Sequence, residues 1–406
     1  MTDATTDPEL AFDPMDMSRT KDWDLMARVR RECPVYRPAP GIVFTSRLDD
    51  TGKAFRDAKR LSSVGDMRAP GVVVPEDESF LGELDAPLHP KIRRILLRSF
   101  TPDGATAAEP WTRANVGRRL DAVRAAGGGD LMAALAIPLP GSVAAHVLGL
   151  PDDMHDQVMD WCNELLHSSW PATGRTERGE GIAGAFPEFA SFLDEHIAMR
   201  HAAGPGGVDD LLSVMVHAGE PDGWHISDQH IRTLSVNILA GSLSASYMIG
   251  NLLHRFLTDE AGFTAVLRAD RSKVPVAVEE SLRYEAPVTF LFRTAREAVA
   301  IGGCPVHAGE HVMLGIASSG RDEATYEHAD EFRLDRVDPP ENLAFGAGAH
   351  LCLGNHLTRM VGRVVLEETL DRFGPGALEL APGFEWVCVA HIQEYGPETL
   401  EVVVKS

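Results

Sequence analysis

Residues 343–356 read LAFGAGAHLCLGNH, three glycines and a cysteine leading into the amphipathic stretch HLTRMVGRVVLEETLDRF. Glycine lets a backbone turn left-handed or approach another group closely, so this cluster marks a loop shaped around something. Cys352 lies inside it, just before a helix start, where free amides around Leu353 and Gly354 and the helix dipole favour a negatively charged sulfur. A thiolate so placed serves as nucleophile, redox thiol or soft metal ligand, and the glycines admit a flat, bulky ligand. Two alternatives compete with that reading. One is a buried cysteine in a glycine turn; the other is a dinucleotide fingerprint, which lacks the third glycine of G-x-G-x-x-G and an evident strand before it.

The remaining sequence sets the frame for this loop. Apolar residues recur at helical spacing in HPKIRRILLRSF, PGSVAAHVLGL, DQVMDWCNELLHS, FASFLDEHIAMRHA, VAVEESLRY and a long stretch from about His230 to Phe256, while PVYR, GIVFTS, AVAIGG, HVMLGI and TLEVVVKS read as short strands. With no internal repeat and no linker, the pattern predicts one large domain over 21–406, mainly α with a small β region, behind a flexible acidic tail over 1–20. SSWPATGRTERGEGIAG reads as a mobile surface loop. Five scattered cysteines give neither a disulfide framework nor a zinc knuckle, which points to a reducing cytoplasm. The polar N-terminus has no leader pattern and no run reaches membrane-spanning length, so a soluble monomer is expected. A formal charge of −22 argues against nucleic-acid binding, yet leaves room for a local basic patch.

F-G-x-G-x-H-x-C-x-G, here Phe345 to Gly354 and including Gly346, resembles the haem-binding loop of the cytochrome P450 family, in its soluble bacterial form. The resemblance implies a single-domain P450-type fold holding haem b (iron protoporphyrin IX), with Cys352 as the thiolate ligand of iron, His350 as a propionate donor and Phe345 beside the sulfur. His89 and Arg93 stand four apart at a helix start, on one face. Between D-x-P and S-F-T-P they resemble the family's propionate-binding helix. Arg293 is a further propionate donor by the same resemblance, which also turns Phe290 and Phe292 toward the substrate space; the alternative is that both rings fill core. Glu280, Arg283 and Arg336 resemble the family's buried structural ion network. One departure precedes the loop, where Asn342 replaces a usual histidine and would offer an amide, not a charged donor.

A second departure concerns chemistry. Set against the family's oxygen-activating helix, A-G-x-[DE]-T-T, the chain keeps Ala240 and Gly241 but places Leu243 at the acid and Ser244 and Ala245 at the threonines. Reductive activation of O2 consumes two protons, and a leucine relays none. The resemblance implies a monooxygenase that hydroxylates or dealkylates a mainly apolar small molecule contacted by Leu239 and Ala240 and the loop GDMRAPGVVVPEDESF. Its electrons would come from ferredoxin with a ferredoxin reductase, docked near Arg94, Arg98, Arg359 and Arg363. Leu243 keeps three alternatives open: a peroxide-driven enzyme, an oxidative-coupling enzyme, and a non-enzymatic haem carrier or sensor. A haem-free protein with Cys352 as nucleophile would leave His89, Arg93 and Arg293 without a common purpose.

Overall fold

The computed structural model describes residues 10, 12–13, 16–65, 68–69, 71–220, 222–258, 262–337 and 339–405. The helices that matter for the site are α1 (Trp23–Glu32), α2 (Leu48–Arg56), α3 (Leu88–Leu96), α4 (Pro102–Ala126), α5 (Pro138–Leu148), α6 (His155–His167), α7 (Pro187–Ala203), α8 (Asp228–Ala240), α9 (Ser242–Thr258), α10 (Val274–Tyr284) and α11 (Asn355–Arg372). Their ends follow capping chemistry. Thr101 accepts from the Gly104 amide ahead of Pro102 at the start of α4, and Gly127 closes that helix in the left-handed region at φ 77°.

The largest apolar core joins α4, α5, α9, α10 and α11 through Leu120, Val143, Ile249, Leu252, Val278, Val364 and Val365, all buried. Because α11 buries its Val361, Val364, Val365 face here, the loop before its first residue is fixed from behind. A second core packs α8 against α6 and α7. The pair α8–α9, Asp228–Thr258, is 31 residues long and apolar enough by composition to cross a bilayer, contrary to the sequence expectation, but 67% of its most apolar window is buried within the fold. It is a core element, and it is divided at Gly241 instead of running unbroken.

Five strands form one sheet in the order β1 (Val35–Ala39), β2 (Ile42–Thr45), β5 (His311–Gly315), β4 (Phe290–Ala295), β3 (Leu61–Ser62). β2 and β5 run parallel and the other pairs antiparallel, with Arg293 opposite Val312. A second sheet joins Leu378–Leu380, Glu401–Val404 and Gly128–Asp130, so the glycines at 127–129 lead into a short strand.

Two segments expected to be mobile are anchored. Leu10 and Phe12 are buried against Tyr36 and Phe44, so the chain is tied to the sheet well before residue 21; residues 1–9 lie outside the described residues. In the 168–184 segment Trp170 is fully buried, a short hairpin pairs Arg175–Thr176 with Gly179–Glu180, and Arg68 clamps the start. The Arg68 guanidinium bonds both oxygens of Glu83 at 2.7 and 2.8 Å, donates to the Trp170 and Pro171 carbonyls, and lies 4.8 Å from the Trp170 ring. An aromatic anchor and a buried arginine, neither visible as periodicity, hold what composition alone reads as a loop.

The Glu280 network occupies the centre of the fold. Arg283 forks onto both Glu280 oxygens at 2.8 and 2.7 Å, Arg336 reaches the same carboxylate at 3.0 and 3.1 Å, and the Arg333 amide adds a further bond. Glu280→Gln keeps the shape but removes the charge that two guanidiniums share. Breaking a buried network typically costs about 3–5 kcal/mol, so the variant's denaturant midpoint should fall sharply; an unchanged midpoint would show that the carboxylate is not needed for stability.

Candidate functional site

The loop 343–354 is built by two left-handed glycines. Gly346 has φ 67° and faces the Phe55 ring, while Gly348 has φ 72° and lies so close to α2 that a Cβ would meet the Arg56 Cα at 2.9 Å and the Phe55 carbonyl at 3.0 Å. The Cys352 amide donates to the Phe345 carbonyl at 2.8 Å, and the Asn355 side chain returns to the Cys352 carbonyl at 2.8 Å. Arg359, paired with Glu279, lies 4.4 Å from the Phe345 ring. These contacts fix the backbone on both sides of the thiol.

Cys352 is exposed at its surface yet closely surrounded by protein. Desolvation raises its thiol above the ordinary range, opposed by the Gly354 amide and by the charges of Arg93 and Arg359. Such a thiol stays protonated alone, and a bound metal cation takes the thiolate while the proton is released to water. The described residues contain no cluster of three or more His, Cys, Asp or Glu suited to a metal, so any metal here must bring other ligands with it.

Around this thiol converges an unusual donor set. The His89 and His350 rings lie 4.1 Å apart, Arg93 donates to the Leu351 carbonyl, and Arg293 lies 5.7 Å from the Phe55 ring. His350 Nε2 meets the Ser63 hydroxyl at 3.2 Å and Asp85 at 3.9 Å; Asp85 also pairs with Ser62 and Arg296. The Nε2 of His89 and the Nδ1 of His350 are buried with no hydrogen-bond partner. Desolvation, then the neighbouring Arg93 and Arg293 charges, pushes His89 down to about 4, and desolvation with His89 and Arg293 pushes His350 down to about 3. Two orphaned ring nitrogens and two guanidiniums fit a ligand bearing two carboxylates.

The chain is 32% identical over 361 residues, 87% of each chain, to the erythromycin C-12 hydroxylase of Saccharopolyspora erythraea, and 30% identical over 387 residues, 92% of each, to the putative cytochrome P450 123 of Mycobacterium bovis. It belongs to the cytochrome P450 family. The family model described as Cytochrome P450 matches residues 255–378. Among solved structures, a mutant of P450 EryK in complex with erythromycin B superposes with TM-score 0.81 at 29% identity, covering 96% of this chain and 97% of that one. CYP109E1 from Bacillus megaterium superposes at 0.83 and 26%, covering 95% and 99%.

This P450 is accordingly a monooxygenase whose cofactor is haem b, and the donor set fits that group. Cys352 would hold the iron, and His89, Arg93, Arg293 and His350 the propionates. The Asn342 side-chain oxygen accepts the Ala344 amide at 3.0 Å, shaping the entrance to the loop.

Two expectations need correction. Phe290 is buried with Phe12, Met26, Phe44 and Met313, and Phe292 packs beside it. Successive strand residues face opposite sides, so these rings share the face away from Arg293, whose neighbour on the same side is Leu291. The phenylalanines fill core, and Leu291, on the Arg293 side, packs against the cluster that holds Phe55 and Ala347. Ser62, Ser63 and Asp85, which hold His350, were not singled out from sequence; only the D-x-P step before His89 hinted at Asp85.

At the junction of α8 and α9, Gly241 donates to the Asn237 carbonyl at 2.9 Å and the Ser244 hydroxyl donates to the Gly241 carbonyl at 3.4 Å. Leu239 is fully buried, whereas Ala240, Leu243 and Ser244 are half-buried. Ala240 and Leu353 pack against one apolar core, Leu243 and Phe345 against the other, so the junction and the cysteine loop share both cores.

The His89 shift has a measurable sign. Its folded value of about 4 lies below 6.5, so the unfolded chain binds the extra proton, and the stabilisation is full above pH 6.5 and lost as pH falls through about 4. Propionates beside the ring favour its charged form and raise that value. Haem-free protein should therefore lose stability more steeply over this window than haem-loaded protein in a pH series of chemical denaturation, and equal slopes would remove the propionate contact from His89.

Proposed function

We propose that this P450 inserts one atom of O2 into a C–H bond of a mainly apolar small molecule, hydroxylating or dealkylating it, with electrons from a ferredoxin and its reductase. The observation that carries the reading is the thiol of Cys352 beside two orphaned histidine nitrogens and two arginines, a site shaped for one dianionic metal-bearing ligand. When bound, haem supplies the two-electron activation of O2: R–H, O2, two electrons and two protons give R–OH and water. The chain's own residues do the rest. Arg93 and Arg293 would orient the group by charge, Gly346 and Gly348 let the cysteine loop lie close against α2, and Ser244 offers a hydroxyl oriented by the Gly241 carbonyl. Leu239 and Ala240 contribute apolar surface on the α8 side of the junction, which suits a substrate with few polar groups. The names of related proteins support this class: one hydroxylates erythromycin, and CYP109E1 structures hold testosterone and corticosterone.

Leu243 favours one competing reading, in which hydrogen peroxide is the oxidant and fewer protons are needed. A single experiment separates them. Wild-type protein reduced under carbon monoxide should show the strongly red-shifted Soret band of a thiolate-ligated haem, Cys352→Ala should lose it, and product should form only with O2 and the reductase chain. Retention of the band in Cys352→Ala removes the ligand assignment, and peroxide-supported turnover with none from reductant removes the oxygenase reading.

Ferredoxin docking rests on a local cationic patch in an acidic protein. Arg94, Arg359 and Arg363 pair with Glu220, Glu279 and Glu109, so their charges are partly neutralised. Arg98 and Arg56 are exposed and make no ion pair among the described residues, and Arg56 adjoins the cysteine loop at Gly348. Arg98→Glu should lower the ferredoxin-dependent reduction rate about tenfold at low salt, with the gap closing as salt rises, while the carbon monoxide band stays intact. An unchanged rate would place the docking face elsewhere.

A further inference from the structure

Asp85 stands where the elements that carry the propionate donors meet. Its backbone carbonyl accepts the His89 amide at 3.0 Å, at the start of α3, the helix of His89 and Arg93. Its Oδ1 lies 3.9 Å from Nε2 of His350 in the cysteine loop, and Ser63 meets the same nitrogen at 3.2 Å. Its Oδ2 accepts from the Ser62 hydroxyl on β3 and from Arg296, the residue that follows β4, the strand of Arg293. One carboxylate thus faces α3, β3, the end of β4 and the cysteine loop, and its side chain is only 8% exposed. A buried acid here carries a difficulty: the site is shaped for a ligand with two carboxylates, and like charges repel strongly where water is scarce. Arg296 answers it from outside. Its amide is held by the Arg60 carbonyl at 2.8 Å, and its side chain, 46% exposed, reaches inward to the Asp85 oxygen that His350 does not face. A pair of exposed charges contributes little, but here the acid is buried, so losing the arginine would leave an uncompensated charge beside the ligand.

We propose that Asp85 is a positioning residue for the propionate donors and that Arg296, which lies outside the donor set, is the counter-charge that lets Asp85 serve beside a dianionic group. The inference deepens the reading above and rests on its assignment of His350 and Arg293 to the propionates. No bond is made or broken; the effect is electrostatic. Without Arg296, the Asp85 charge opposes the propionates, which weakens retention of the group, and it opposes the electron that converts ferric to ferrous iron, because that electron adds negative charge. Without the Asp85 charge there is nothing for Arg296 to cancel, and its loss then changes little.

Two measurements on the haem-loaded full chain test this without any substrate: haem transfer to excess apomyoglobin, and the ferric–ferrous equilibrium read against a reference dye. Arg296→Gln should speed transfer about fivefold and move the equilibrium about threefold toward ferric iron, with the carbon monoxide band in place, and Arg296→Lys should restore both. In Asp85→Asn protein the same Arg296→Gln change should shift either readout by less than about 1.5-fold. Should Asp85→Asn fail to fold, a charge series decides: Arg296→Glu should exceed Arg296→Gln in both readouts, while Arg60→Gln, a neighbouring exposed arginine, should leave them unchanged. No effect of Arg296→Gln, an equal effect in the Asp85→Asn background, or an equal effect of Arg60→Gln overturns the proposal. A wild type without the carbon monoxide band, or haem that leaves no faster from Arg293→Ala, would instead remove the propionate assignment on which it rests.

Discussion

The site depends on one buried carboxylate. Glu280 holds Arg283 and Arg336 together, and the two guanidiniums do more than neutralise it. Arg283 donates to the carbonyls of Gly320, Ala329 and Glu331, and Arg336 to those of Glu327, His328 and Glu331. The segment 320–336 has almost no regular secondary structure, so its backbone carbonyls must be satisfied by side chains if it is to lie within the fold. This segment carries the chain from the sheet to the cysteine loop. The ion network therefore acts as a substitute for a strand or helix, and the loop's geometry follows from it.

The loop in turn creates an electrostatic imbalance. Arg93, Arg293 and two desolvated histidines face one another with Asp85 as the acidic group among them. The protein lowers the mismatch by keeping both rings neutral, which leaves two buried ring nitrogens without partners. Each orphan costs about 1–3 kcal/mol, a standing strain that a dianionic ligand relieves. Affinity for haem and the instability of the unliganded pocket at low pH are thus two faces of one arrangement.

Local motifs with a fixed chemical purpose were legible in the sequence, and features set by distant partners were not. Cys352, His350, His89, Arg93 and the Glu280–Arg283 pair each lie in a short pattern whose spacing carries its meaning, and the structure brings the first four to one place. Arg336 joins Glu280 from 56 residues away, and only the family resemblance pointed to it. Between pocket and core, strand alternation decides for Phe290 and Phe292: two residues of even separation share a face, and Arg293 lies at an odd distance from both. Leu10, Phe12 and Trp170 lie in segments whose polar or glycine-rich neighbours read as mobile, yet single apolar anchors bind them: Leu10 and Phe12 on Tyr36 and Phe44, and Trp170 under Arg68.

The division of the long helix shows how these levels meet. Apolar periodicity predicts a continuous helix across Gly241, and both halves do bury their apolar faces, but the junction lies where the two cores and the cleft beside α6 adjoin. A carboxylate at position 243 would face Asp156 and Asp160 across that cleft, and three like charges sharing it would raise one another's pKa values and favour protonated, poorly conducting acids. Leucine at 243 removes that repulsion and confines the cleft's carboxylates to the facing helix, where both are exposed. The apolar residue at 243 and the acidic pair on the facing helix are therefore electrostatically compatible, while the Ser244 hydroxyl is held by the Gly241 carbonyl.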